Sequence, residues 1–260
     1  MDALVGHTGF VGGNLIRQHD FGARYNSSTI EAIAGGHFGT LVFSGAQAKK
    51  WWANQNPEQD WAGIRRALDA MVGVTAERVI LISTIDVVPQ VAGADESFDC
   101  GGVPTHAYGE NRLRLEAAMR ERFGQVMTVR LPALSGWDLR KNILYDLAHD
   151  NMVDKIDPAS RFQFYDLYRL WDDIGTASKV GLDLVHLVTE PVLTGDIVER
   201  YFPGATVGRP PASGSACYDF RTRHAAVFGG SDGYIYDARE VMRRIGAWVT
   251  AARAERGGSA

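Results

Sequence analysis

The sequence predicts an α/β fold: a doubly wound parallel sheet with a smaller C-terminal lobe. Two observations carry that prediction. Short apolar runs alternate with longer segments of helical periodicity, the pattern left by a parallel sheet covered on both faces by helices. Among those runs "RVILIST" (78–84) is continuous and rich in β-branched residues, as suits a strand buried on both sides.

The elements follow in order. "DALVG" (2–6) reads as the first strand and "GGNLIRQH" (12–19) as the helix after it, while "GARY" (22–25) is a weak strand and "TLVFSGA" (40–46) a clear one. Pro57 opens a helix over 57–73, where Trp61, Ile64, Leu68 and Met71 recur at three- to four-residue spacing and form one buried face. After "RVILIST" and a glycine-rich connection, the segment "THAYGENRLRLE" begins a helix that runs to about Arg122, and "QVMTVRLPA" (125–133) is the next strand. Further helices are predicted near 140–150, 167–179, 191–201 and 237–253, with short strands near 161–165 and 183–189. One domain over 1–260 is expected, with residues about 137–160 and 200–235 contributing the smaller lobe; no Pro/Gly-rich linker marks its edge.

Composition narrows the function classes. A chain of 260 residues buries about three quarters of its extended surface, enough for one large core. The net charge of −4 gives no reason to expect a nucleic-acid partner. Cys100 and Cys217 are the only cysteines, which excludes a disulfide framework and a Cys-rich metal motif. No His/Asp/Glu cluster has metal spacing, so no metal is expected, and the setting inferred is reducing and cytoplasmic. "MDALVGHTGF" has no signal-peptide pattern, and nowhere do about 18 apolar residues follow one another, so no membrane association is expected.

Gly6, Gly9 and Gly12, in "LVGHTGFVGGNL", give G-x-x-G-x-x-G between the first strand and the first helix. Glycine serves three needs there: a tight turn, close approach of a pyrophosphate to the backbone, and packing of helix on strand. The helix start then presents unpaired N–H groups to an anion. Among 29 glycines a match somewhere arises by chance; a match at residue 6, between strand and helix, is far less expected. The segment therefore reads as the cofactor turn of a Rossmann-like domain, with Thr8, Phe10 and Val11 supplying the intervening contacts. A plain strand-to-helix turn is the alternative, and His7 reads as loop filler. "FGARYNSST" (21–29) lacks the acid that binds the ribose hydroxyls of NAD, whereas Arg24, Asn26, Ser27 and Ser28 suit a 2′-phosphate. The cofactor expected is NADP or NAD, with a slight preference for NADP.

"THAYGENRLRLE" (105–116) places Tyr108 one helical turn before Arg112. The pair alone says little, since 9 Tyr and 27 Lys+Arg give roughly one such match by chance, and Tyr165 with Arg169 is another match. Order along the chain is more specific. The glycine turn, "FSGAQA" (43–48), "ISTIDVV" (82–88) and "YGENR" (108–112) succeed one another as do the motifs of the extended short-chain dehydrogenase/reductases, the NAD(P)-dependent epimerase/dehydratase family that acts mostly on nucleotide sugars. The chain resembles that family over roughly residues 1 to 200. The resemblance implies that Thr84 is the catalytic hydroxyl, that Tyr108 exchanges a proton with substrate, that Ser83 borders the substrate, and that Ser44, Gly45 and Ala46 border the cofactor. Tyr165 follows the wrong strand, whereas Tyr108 lies 24 residues after Thr84.

One position departs from the family, with Arg112 standing where a lysine is usual. Arginine keeps the charge but is effectively never deprotonated, so it cannot relay a proton. A cation about 5 Å from a phenol contributes about 3 kcal/mol at an effective dielectric near 20, or roughly two pKa units, so the pair is expected to bring Tyr108 into working range as an acid/base. The alternative is a site that binds without catalysing.

The same resemblance places Pro132 and Leu134, in "RLPALSG" (130–136), beside the nicotinamide. It places Arg140, Lys141 and Asn142, in "LRKNIL" (139–144), at a diphosphate, against the alternative of an ordinary basic helix start. In "YDFRTRHAAVFGG" (218–230), Arg221 and Arg223 alternate as on a strand and form a candidate second phosphate clamp, against a solvated turn. "GGSDG" (229–233) matches Gly-x-Ser-x-Gly, but "YIY" follows where a nucleophile elbow begins its helix, so it reads as a turn. The three tryptophans of "KKWWANQNPEQDW" (49–61) read as core or interface packing before pocket wall.

The function expected is an NAD(P)-dependent oxidoreductase that moves hydride and proton at a keto or carbinol carbon of a nucleotide sugar, a keto-reductase first. An epimerase or dehydratase using bound NAD is the runner-up; a dehydratase wants an extra acidic pair, and "STIDVV" offers only Asp86. The rival of another class is a non-catalytic NAD(P)-binding regulator. A homodimer is expected, pairing through helices 57–73 and 105–122.

Overall fold

A computed structural model describes residues 1–89 and 92–257, with side chains described to Glu255. The chain divides into two compact units. The first comprises Met1–Gln90, Glu96–Leu131 and Tyr168–His186, and the second Val91–Asp95, Pro132–Leu167 and Leu187–Ala260.

The first unit is built on six strands, β1 (Ala3–Val5), β2 (Ala23–Tyr25), β3 (His37–Phe43), β4 (Thr75–Thr84), β5 (Met127–Leu131) and β9 (Leu184–His186). They form one parallel sheet in the order β2-β1-β3-β4-β5-β9. Helices α1 (Phe10–Leu15), α2 (Lys50–Gln55), α3 (Pro57–Ala70), α4 (Ala107–Phe123) and α6 (Leu170–Lys179) connect them. Side chains alternate across each strand. One set, including Val5, Leu41, Phe43, Val79 and Leu81, packs with Ile64 and Leu68 of α3, Met71 just after it, and Leu115 and Met119 of α4 in a single buried core. The alternate set, Leu4, Val42, Ile80 and Ile82, is buried as well, which is why these strands are apolar without a period of two. Strand order reverses at β1, with β2 on one side and β3 on the other. That switch point is where open α/β sheets hold ligands at the carboxyl ends of their strands.

Two details depart from the sequence expectation. Residues 50–55 form the separate helix α2; six residues rich in Trp, Asn and Gln are too few and too weakly helix-forming for periodicity to register. The run 125–133 divides at Pro132, which has no N–H for a ladder: β5 ends at Leu131, and β6 (Ala133–Ser135) pairs with β8 (Phe164–Asp166).

The second unit combines that β6–β8 pair with the antiparallel pair β7 (Arg161–Phe162) and β10 (Val192–Leu193), and with helices α5 (Ile143–His149), α7 (Thr194–Tyr201) and α8 (Ala238–Gly257). Buried Gln163 donates to the carbonyls of Thr189 and Phe220 and accepts from Phe220 N–H. The Trp248 indole donates to Gly136 O at 3.1 Å, tying α8 to the segment after β6. Among the described residues no helix is long and apolar enough to cross a membrane.

Candidate active site

The glycine turn leaves β1 at the switch point. Gly6 has φ +92°, and a Cβ there would lie 2.5 Å from Ser44 O, so only glycine both adopts the turn and clears the end of β3. Gly12, buried in α1, leaves no room for a Cβ against Gly6 O. A Cβ on Gly9 would meet only Gly6 O, at 3.3 Å, and would otherwise fill the open cradle of the turn. The turn is pinned on both sides: Gly6 N–H donates to Tyr25 O at 2.7 Å, His7 Nδ1 lies 3.0 Å from the same carbonyl, and Ser44 N–H and Oγ–H both donate to Val5 O. Ser44 and Gly45 therefore stand beside Gly6, and Ala46 packs at the edge of the core. Thr8 is exposed, while Phe10 and Val11 are half-buried. Asn26 closes an Asx turn on Ser28 N–H, and Arg24 pairs with the exposed Asp20 at 2.9 Å.

Thr84 ends β4 on the same carboxyl edge, two strands from β1. Its hydroxyl accepts from Asp86 N–H at 3.2 Å and shares a hydrogen bond with the Tyr108 side chain. Tyr108 opens α4, whose buried residues Tyr108, Asn111, Arg112, Leu115, Glu116 and Met119 recur at three- and four-residue spacing and form one stripe. The helix start is held from outside by Asn54 Oδ1, which accepts from Tyr108 N–H at 2.9 Å, and from within by His106, whose Nδ1 accepts from Gly109 N–H at 3.0 Å. Gly109 lies so close to the 3-10 turn Ile85–Val87 that a Cβ would overlap Asp86 O. Glycine to alanine gains about 1 kcal/mol of helix propensity, whereas overpacking against fixed backbone costs about 1–3 kcal/mol. Gly109→Ala is therefore expected to lower the urea midpoint of unfolding and to move Tyr108 off Thr84.

The environment of Arg112 corrects the expected electrostatics. Its guanidinium is buried and forms a two-pronged ion pair with buried Asp60 of α3, one prong at 2.9 Å; it also donates to the carbonyls of Gln47 and Tyr108. Its flat face lies 3.9 Å from the centre of the Tyr108 ring. The cation is thus present but already paired, with its two terminal nitrogens committed to protein and its buried Nε without a hydrogen-bond partner. Burial pushes the Tyr108 phenol up to about 12; Arg112 and the Thr84 hydrogen bond pull it down, while Asp86 and Asp60 push it up. Tyr108 therefore holds its proton at neutral pH, where the sequence led us to expect a phenol brought into basic range. Asp60 escaped sequence analysis although it lies four residues before Ile64 on the buried face of α3, which is the signal that an acid there meets a buried partner.

Three further groups join the site. Lys50 Nζ of α2 lies 2.7 Å from Asp86 Oδ1, and His106 Nε2 lies 3.8 Å from the same oxygen. Burial alone would raise the Asp86 carboxyl, but the His106 hydrogen bond and the Lys50 charge outweigh it and hold the group below its ordinary value. Ser83, expected to border substrate, donates its hydroxyl to buried Glu116 at 2.6 Å, and Glu116 in turn receives Arg130 of β5 at 3.0 and 2.7 Å. The Ser83 hydroxyl proton is thus committed to the core.

The remaining candidates belong to the second unit. Asn142 caps α5, accepting from Leu144 and Tyr145 N–H, and donates to Leu134 O at 2.8 Å. Arg140 and Lys141 before it are exposed, and Pro132 and Leu134 are half-buried. Residues 218–224 are not a strand: Arg221 N–H bonds Ala94 O and Thr222 N–H bonds Gly233 O, so irregular bonds replace a ladder. Arg221 is half-buried, pairs with Asp219 at 3.2 Å and lies over the Tyr234 ring at 4.0 Å, whereas Arg223 is exposed. "GGSDG" turns back on itself through a Ser231–Tyr234 bridge, and no helix follows it directly.

No protein-family model and no curated protein matches the chain in sequence. Solved structures match it in fold. The dTDP-4-dehydrorhamnose reductase of Bacillus anthracis, solved with NADP, is similar with a TM-score of 0.71 and 14% identity over 96% of this chain and 97% of that one. UDP-glucose 4-epimerase of Thermus thermophilus, in complex with NAD, gives 0.70 and 15% over 97% and 99%. The Thermotoga maritima UDP-glucose 4-epimerase with UDP-glucose gives 0.69 and 12% over 98% and 99%. At these identities the likeness is one of fold: the chain has the Rossmann-like fold on which these reductases and epimerases are built.

Proposed function

We propose that the protein is an NAD(P)-dependent oxidoreductase that reduces a keto carbon of a nucleotide sugar. The observation that carries this reading is the pairing of the Thr84 and Tyr108 hydroxyls, with the phenol held protonated, on the strand edge that also carries the glycine turn. The turn fits a dinucleotide: Gly6 and Gly12 admit the close packing, and Gly9 leaves open the cradle that a side chain would fill. A bound nicotinamide dinucleotide supplies the hydride. Thr84 and Tyr108 hold the substrate oxygen, and Tyr108 gives it a proton as negative charge develops there. A phenol near 12 is a poor base at neutral pH but remains a proton donor to an alkoxide, so the site favours reduction over oxidation. The dehydratase alternative is weaker, because elimination needs a protonated acid and Asp86 is held ionised by His106 and Lys50. An epimerase retaining NAD uses the same two hydroxyls and stands as the second reading within this class.

NADP is the dinucleotide proposed first. Arg24 donates its Nε–H to Phe21 O at 3.0 Å, and its terminal nitrogen pairs with exposed Asp20, a surface pair worth about 0–1 kcal/mol, which a 2′-phosphate readily displaces. The proposed assembly is a homodimer through α3 and α4. The neutralised guanidinium of Arg112 is what favours the rival reading, a regulator that binds dinucleotide without turnover.

The test has two stages. Ligand at about a hundred times its Kd stabilises a fold by about 2.7 kcal/mol, so NADPH and NADH are ranked by thermal shift. NADPH oxidation is then followed with nucleoside-diphosphate keto sugars. Stabilisation by NADPH and stoichiometric consumption are expected. No shift with either dinucleotide sinks the reading, and retained NAD without net absorbance change favours the epimerase.

A further inference from the structure

The site contains a second cation, and its position bears on how Tyr108 releases its proton. The charged and titratable groups that face Tyr108 are Arg112 on its own helix, His106 just before that helix, Asp60 from α3, and Asp86 from the turn after β4, with Lys50 of α2 reaching it through Asp86. The Thr84 hydroxyl of β4 is the neutral member. These charges pair off. Asp60 takes Arg112, with both side chains almost fully buried (1% and 3% exposed), so that pair is fixed. Asp86 is left to Lys50 at 2.7 Å and His106 at 3.8 Å, and their side chains remain about one-third exposed at 35% and 32%. Forming a phenolate beside an unpaired carboxylate is unfavourable; pairing the carboxylate removes the penalty.

We propose that Lys50 is the positioning residue of the proton transfer: anchored on Asp86, its ammonium cancels the carboxylate that faces Tyr108, adding to Arg112, whose charge is shared with Asp60. The inference rests on the oxidoreductase reading and extends it to residues outside the Tyr-x-x-x-Arg motif. Lys50 acts through Asp86 and makes no contact with the reacting atoms. Its side chain projects from α2, a helix tied to α4 by the Asn54–Tyr108 hydrogen bond, so the cation is carried by the element that also holds the start of the catalytic helix.

The test is a cycle of Lys50→Met, Asp86→Asn and the double variant, with Lys50→Arg as the conservative control. Two quantities are read: kcat with its pH profile, and ionisation of Tyr108 from near-ultraviolet phenolate absorbance immediately after an alkaline pH jump, against Tyr108→Phe. Lys50→Met is expected to lower kcat about tenfold and to raise the Tyr108 midpoint by about one pH unit. Asp86→Asn is expected to lower that midpoint, and the double variant to return both quantities towards wild type, as does Lys50→Arg. Affinity for NADPH stays within about threefold throughout, because none of these side chains belongs to the glycine turn. Unchanged kcat and unchanged ionisation in Lys50→Met overturn the proposal, as does a double variant no better than Lys50→Met. A wild-type protein that consumes no NADPH sinks the oxidoreductase reading instead, and the phenolate measurement then decides the electrostatic proposal by itself.

Discussion

Tyr108→Phe is expected to lower kcat by roughly a hundredfold to ten-thousandfold while leaving dinucleotide affinity nearly unchanged. The substitution removes one oxygen. The ring keeps its place over the Arg112 guanidinium, 3.9 Å away, and the glycine turn is on another element. Stability provides an independent reading of the same group. The phenol's folded value of about 12 lies above its ordinary value of 10.0. Below pH 10 both folded and unfolded chains keep the proton. Between about 10 and 12 the unfolded chain releases it while the fold retains it, so stability falls as pH rises, by about 3 kcal/mol in all. Tyr108→Phe removes that alkaline loss. Denaturant midpoints from pH 8 upward check the stability effect, and steady-state kinetics at neutral pH check the activity. A variant that keeps wild-type turnover removes Tyr108 from the proton transfer, whereas wild-type protein that binds dinucleotide and turns nothing over is the regulator.

The sequence made the sheet, the glycine turn after β1 and the positions of Thr84 and Tyr108 at the ends of their elements legible because each leaves a local mark. Buried parallel strands are continuous apolar runs, and the turn at Gly6 and Gly12 admits no larger residue. What stayed hidden depends on partners far apart in the chain. Asp60 meets Arg112 across 52 residues and Lys50 meets Asp86 across 36, and no period or motif announces either pairing. Arg130 is buried in β5 because Glu116 waits for it on α4. Read as a hydrophobic stripe, α4 looks poor, yet its buried positions obey the helical repeat once Tyr, Asn, Arg and Glu are counted as partnered side chains. The expectation for Tyr108 failed for a related reason: an arginine one turn away is visible in sequence, whereas the carboxylate that neutralises it and the burial of the phenol are not.

That neutralisation yields the largest stability effect expected in the site. Asp60→Asn strands the buried guanidinium of Arg112, and breaking one side of a buried pair costs about 3–5 kcal/mol. Arg112→Met strands the Asp60 carboxylate and costs a similar amount. The two variants should nevertheless move Tyr108 in opposite directions. With Asp60 neutral, the unbalanced cation over the ring draws the phenol below its value of about 12; with Arg112 removed, the carboxylate pushes it higher. Packing damage alone gives no such opposition, since each substitution loosens the same contact between α3 and α4. Urea unfolding measures the shared loss, and phenolate absorbance after a pH jump measures the split. Shifts of the same sign would show that the pair holds the two helices together without setting the proton affinity of the tyrosine. Opposite shifts would mean that α3, through one buried carboxylate, keeps Tyr108 an acid rather than a base.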